Sequence, residues 1–310
     1  MRKRHLLSGA LLFVLTGSTA AQQEPDLNYN PPIPRPAYAP DTGPRVAIDE
    51  AHHNFHTVDG RYEPFARLLR LDGYRVEGFA SALSAKSLEA ADVLVIANAL
   101  NERNIEDWSL PTPSAFTRDE IAAVRAWVDK GGSLFLIADH MPFPGAAGEL
   151  ASAFGVTFSN GYARPGHGDS NIFDMFDGAT GLKESAATRG RNDDEKVTEV
   201  ATFTGSAFRM PEKAIPILVF GANSISLETK KAPGVTPDAP EIPIEGWCQG
   251  ALLNFGGGRV AVFGEAAMFS AQLAGPQQMP IGMNTPDARQ NHQLLLNVMH
   301  WLTRAPGMSD

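Results

Sequence analysis

Cysteine is almost absent: Cys248 stands alone among 310 residues, so no intramolecular disulfide can form and stability must come from a packed core. Basic runs and Lys/Arg-rich amphipathic faces are missing as well. With a formal net charge of −9 the chain repels phosphate backbones, which excludes nucleic acid as a partner. Beyond the first twenty or so residues no apolar run is long enough to span a bilayer, so no stable membrane insertion is expected. Internal repeats and coiled-coil heptads are absent too, and nothing in the pattern sets an oligomeric state. The HExxH of zinc proteases, the G-x-S-x-G of nucleophile elbows and the Lys-bearing phosphate loop do not occur. A nucleotide cofactor is therefore not expected, and the triplet Gly256 to Gly258 reads as a hairpin turn.

What is present begins with an address. Arg2, Lys3 and Arg4 precede an apolar stretch from Leu6 to Leu15 and the small residues Ser18-Thr19-Ala20-Ala21. This pattern predicts a cleaved signal peptide over residues 1–21 and a periplasmic or secreted product. Its removal makes the net charge three units more negative. Gln22 to Pro44 carries seven prolines among polar residues and predicts an extended tether with no packed core of its own, with Tyr29 and Tyr38 able to lie along the domain surface. A single domain is expected over residues 45–305.

Within that domain, short apolar runs alternate with helical periodicity. RVAID from Arg45, YRVEGF from Tyr74, and the run from Asp92 to Ala97 read as strands. Thr117 with Glu120 three residues on is a capping box opening a helix that runs to Lys130. The stretch from Gly131 to Ala147, GGSLFLIADHMPFPGAA, is the organising element. A buried strand ends at Asp139-His140, a Pro/Gly turn follows, and a helix begins. Strands alternating with helices predict a flavodoxin-like, mainly parallel sheet with helices on both faces. Residues 156–258 break the rhythm and predict an irregular, β-rich insertion before the last strand, RVAVFGE, and the closing helix from Ala288 to Leu302.

Four predicted strands end in polar residues: Asp49, Asn98, Asp139 and Glu265. Ligands bind beyond the carboxyl ends of parallel strands, so these tips are expected along one edge. Asp139, His140 and Glu265 are the candidate catalytic residues, suited to acid–base work. Asp49, His52 and His56 are the candidate ligands of a divalent metal, Zn or Ca, since carboxylate oxygen and neutral imidazole nitrogen suit such ions. Asn98, His167, Asp169 and Asn284 are candidates for substrate binding. Trp108, Trp247 and Tyr162 offer stacking faces. His300 reads as a packed core histidine, and Cys248 as inert.

The run from Arg45 to Ala147, with its GGSLFLIADH tip, resembles the class I glutamine-amidotransferase-like superfamily and within it the exported ThuA-like branch. Amidotransferases of that superfamily carry a nucleophilic cysteine just after the glycine-led strand, where this chain has Asp139-His140. The resemblance therefore implies an amidotransferase-like fold with its site at the strand tips, a loose link to sugar metabolism, and no glutaminase activity. The expected function is an exported hydrolase acting on a carbohydrate or related small polar substrate. The alternative is a non-catalytic periplasmic domain that binds a glycan or peptide.

Overall fold

The computed structural model describes residues 23–166 and 174–309. Its main sheet has nine strands. Five of them run parallel in the spatial order Arg75–Phe79, Arg45–Asp49, Val93–Ala97, Ser133–Ile137, Gly258–Phe263. VLVIA and SLFLI are buried along their whole length, as a strand covered on both faces must be. The sheet then reverses. Cys248–Phe255 pairs antiparallel with Gly258–Phe263 across the glycine turn, and Phe208–Arg209, Thr157–Phe158 and Ile215–Val219 extend the antiparallel half.

Helix α1 (Glu63–Leu71) opens with Pro64 in its first turn, and α2 (Arg118–Asp129) is closed at its start by the Thr117/Glu120 capping box. Helix α3 (Phe143–Ser152) follows the Asp139-His140 tip, α4 (Ala186–Arg189) is a single turn, and α5 (Asn291–Thr303) closes the chain. One apolar core joins α1 and α5 to Phe135, Phe263 and Phe269; a second joins α2 and α3 to Leu134, Leu136 and Leu253.

The expected flavodoxin-like architecture, a mainly parallel sheet between helical layers, is overturned. The nine-stranded sheet is mixed, and three smaller antiparallel sheets accompany it. Two causes can be named. The hairpin read at the glycine triplet forms, but the mostly buried run Cys248–Phe255 carries no mark of the further antiparallel strands that pair beyond it. The added strands are also only two to five residues long, too short for alternation to show. Four strands of the 156–258 segment thereby join the main sheet and do not form a separate excursion.

The proline-rich segment is not a free spacer either. Gln23–Pro25 pairs antiparallel with Ala271–Ala274, and Tyr29, Ile33 and Tyr38 pack against the first core. Arg67 on α1 donates to the carbonyls of Asp26, Leu27 and Tyr29. His300 lies fully inside the fold, its Nε2 2.7 Å from Asp72 Oδ2. Among the described residues no helix is long and apolar enough to cross a membrane.

Candidate functional site

Three of the four polar strand tips converge. Asn98, Asp139 and Glu265 follow the adjacent parallel strands Val93–Ala97, Ser133–Ile137 and Gly258–Phe263, and line one cavity of about 130 Å³. His140 and His56 reach the same cavity, as do the rings of Phe55, Trp108 and Phe143. These three rings pack edge to face or tilted, with centroids 5.2–5.6 Å apart, and form one aromatic wall. Gln23 and Gln272, from the paired N-terminal and Ala271–Ala274 strands, also line it.

The acidic side is built from the backbone outward. Glu265 is completely buried and its two oxygens accept from the N–H groups of Ala267 and Met268, each at 2.7 Å. Burial first, and the Asp139 carboxyl beside it second, hold the Glu265 carboxyl well above the usual range despite those bonds. Asp139 Oδ1 accepts from the N–H of His140 at 2.7 Å, and its own N–H donates to Asn98 Oδ1 at 2.9 Å. Tyr62, packed under the site, is pushed well above its ordinary value by burial and by both carboxyl groups. Its hydroxyl donates to the Ala266 carbonyl at 3.1 Å.

The imidazoles are held differently. His140 lies 2.8 Å by its Nδ1 from the Met141 carbonyl and stacks on Tyr162 at 4.3 Å. His56 is buried between Tyr62 and Phe55, and burial together with the nearby Arg61 guanidinium pushes its pKa well below normal. Two residues of the cavity wall have positive φ: Asn98 (φ +52°), which asparagine tolerates, and Thr204 (φ +112°), a conformation threonine seldom adopts. Strain of this kind costs about 1–3 kcal/mol and persists where surrounding structure enforces it.

Asp49 is placed elsewhere, and the expected metal triad of Asp49, His52 and His56 is not assembled. Asp49 is fully buried and binds His52 Nδ1 at 2.9 Å, while His52 Nε2 lies 3.1 Å from Glu120 on α2. Both ring nitrogens of His52 thus face carboxylates, and His56 turns away toward Asn98. Among the described residues no group of three or more His, Cys, Asp or Glu is arranged to hold a metal ion. The donor set does not fit a Zn or Ca site.

Of the expected substrate-binding residues, Asn98 lines the cavity. Asn284 does not: its side-chain amide donates to Asp26 and to the Gln272 carbonyl, and so pins the N-terminal segment. His167 and Asp169 lie outside the described residues. Trp247 carries Arg209 over its ring, away from the lining. Sequence reasoning missed Phe55 and Phe143, although each adjoins a histidine-bearing loop. It had no signal for Gln23 or Gln272, which long-range strand pairing brings in.

No protein-family model matches the chain, and no curated protein matches it. Among solved structures, the mmIFT52 N-terminal domain overlays with a TM-score of 0.59 at 14% identity, covering 83% of this chain and 97% of that one. A ThuA-like protein from Bacteroides uniformis overlays at 0.46 with 12% identity, over 86% and 93% of the two chains. A cold-adapted β-galactosidase from Rahnella does so at 0.46 with 11% identity, over 84% of this chain and 31% of that one. The first likeness defines the fold alone, and the other two carry no argument about activity.

Proposed function

We propose that this chain is an exported hydrolase acting on a small polar substrate, a carbohydrate in first place, with Asp139 and Glu265 as its acid–base pair and His140 beside them. The observation that carries the reading is a fully buried Glu265, its carboxyl held well above the usual range, beside Asp139 in the lining of an aromatic-walled cavity. Two neighbouring carboxyl groups can divide the work of hydrolysis. The protonated one donates to the leaving group, and the other takes a proton from water. Trp108 and its neighbouring rings offer an apolar face of the kind on which a sugar ring packs. Export rests on the residue pattern of 1–21.

The test is a panel of chromogenic glycosides and esters run with the wild-type chain, Asp139→Asn and Glu265→Gln. Loss of the acid or base is expected to lower kcat by about 10²–10⁴-fold. Turnover by the wild type that survives both substitutions would refute the reading. One observation favours a second reading, a non-catalytic glycan- or peptide-binding domain. Both Glu265 oxygens already serve backbone N–H groups, which is also how a purely structural carboxyl behaves. Tight glycan binding without turnover of any substrate in the panel would select it.

A further inference from the structure

The cavity holds two imidazoles, and their partners dictate different proton positions. A carbonyl oxygen only accepts, so a neutral His140 whose Nδ1 lies 2.8 Å from the Met141 carbonyl carries its proton on Nδ1. Its Nε2 is then a lone-pair acceptor. For His56 the reasoning passes through Asn98. The Asp139 N–H donates to Asn98 Oδ1 at 2.9 Å, which fixes the amide orientation and turns the Asn98 Nδ2 donor toward His56 Nδ1 at 3.3 Å. An imidazole nitrogen facing an N–H must accept, so His56 carries its proton on Nε2. Burial supports the neutral form.

Among the described residues that Nε2 has no hydrogen-bond partner, although His56 is only 3% exposed and lines the cavity. The same is true of Gln272 Oε1, whose Nε2 is occupied by Ser270 Oγ at 2.6 Å. A buried donor and a buried acceptor without partners, on two residues that line one cavity, each cost about 1–3 kcal/mol unless something binds them.

Resting on the ligand-site reading above, we propose that His56 is a substrate-positioning residue, locked by the Asp139–Asn98 relay as a neutral Nε2–H donor. His140 Nε2 and Gln272 Oε1 are the matching acceptors. The ligand class that answers this set is an uncharged polyol or sugar. Each hydroxyl of such a molecule both donates and accepts, so one ring can satisfy a fixed donor and two fixed acceptors while its apolar face meets Trp108. A ligand bearing only acceptors leaves Gln272 and His140 unpaired, and one bearing only donors leaves His56 unpaired.

The relay is tested by long-range proton–nitrogen NMR of the full chain labelled with 15N-histidine at pH 7, with His56 identified by the signals that vanish in His56→Gln. The expected spectrum shows the His56 proton on Nε2 and the His140 proton on Nδ1. A His56 proton on Nδ1 overturns the proposal. In Asn98→Asp a carboxylate, which cannot donate, replaces the amide at a position whose positive φ aspartate tolerates. The proton is then expected on Nδ1, whereas a residue that merely fills space would leave the spectrum as it was.

The ligand role is tested by titrating glucose and N-acetylglucosamine. His56→Phe is expected to weaken binding at least tenfold, and His56→Gln, whose amide keeps a donor near the Nε2 position, to restore most of it. Binding that His56→Phe leaves intact, with its melting temperature unchanged, overturns the positioning role while the hydrolase reading stands. Failure of the wild type to bind either sugar, with the expected tautomers in place, sinks the sugar class and the carbohydrate reading together, and leaves the relay standing on its spectrum.

Discussion

Glu265 is the residue on which pH should act most visibly. In the unfolded chain its carboxyl ionises in the ordinary range near 4.5, whereas burial and the Asp139 carboxyl hold the folded value well above that. The sign follows from proton counting. Below the unfolded value both states are protonated and nothing is lost; as pH rises from there toward the folded value, the unfolded state releases a proton that the folded state keeps. Stability therefore falls with rising pH through this window, by as much as about 1.4 kcal/mol per pH unit from this group. Glu265→Gln removes that slope. It also leaves one of the Ala267 and Met268 N–H groups without an acceptor, a pH-independent cost of about 1–3 kcal/mol. Melting curves of the two proteins from pH 4.5 to 7.5 are expected to converge as pH rises, and a constant gap would contradict the shift.

At the scale of elements, the start of α2 is where sequence and structure meet. Thr117 and Glu120 announce a capping box, and it forms as read: Thr117 Oγ1 accepts the Glu120 N–H at 3.2 Å, and Glu120 Oε2 accepts the Thr117 N–H at 2.9 Å. The second job of Glu120 was not legible. Its Oε1 accepts from the Leu83 N–H and meets His52 Nε2, 68 residues away in sequence, tying the helix to the tip of Arg45–Asp49. Local signals of this kind, caps and apolar runs, reveal helices and buried strands. Strand direction, two-residue strands and side chains meeting across the sheet depend on long-range packing, which is why Asp139 and Glu265 could be suspected and Gln272 could not. Burial lowers the His52 pKa, but its bonds to Asp49 and Glu120 outweigh this and leave it raised. The stability it contributes is thus complete below pH about 6.5 and is lost as pH rises through the folded value. Glu120→Ala is expected to cost about 2 kcal/mol, the cap plus one partly buried bond. Urea unfolding should show a larger loss at pH 5.5 than at pH 8, and equal losses would remove His52 from the account.

At the scale of the whole molecule, the N-terminal segment is part of the fold and part of the site. Its strand Gln23–Pro25 extends the small sheet of Ala271–Ala274 and Met279–Gly282, and that sheet carries Gln272 to the cavity. Gln23 lines the cavity directly. Beyond the strand pairing, the segment is held by the Arg67 guanidinium on three backbone carbonyls, by Asn284 on Asp26, and by the apolar packing of Tyr29 and Ile33. If the segment were a spacer, cutting these contacts would be silent. Burial of two partly covered apolar side chains and loss of a charged donor to three carbonyls together predict otherwise, by about 2–4 kcal/mol. Arg67→Ala is the mild test, and a chain lacking residues 23–34 the severe one. Both are expected to melt at lower temperature, and in Arg67→Ala limited proteolysis should cut first within 23–44. The truncated chain should also bind sugar more weakly than Arg67→Ala does, because only truncation removes Gln23 from the wall. Unchanged melting in both variants would return the segment to the role of a tether, whereas lowered melting with sugar affinity intact would make it a brace for the fold with no share in the site.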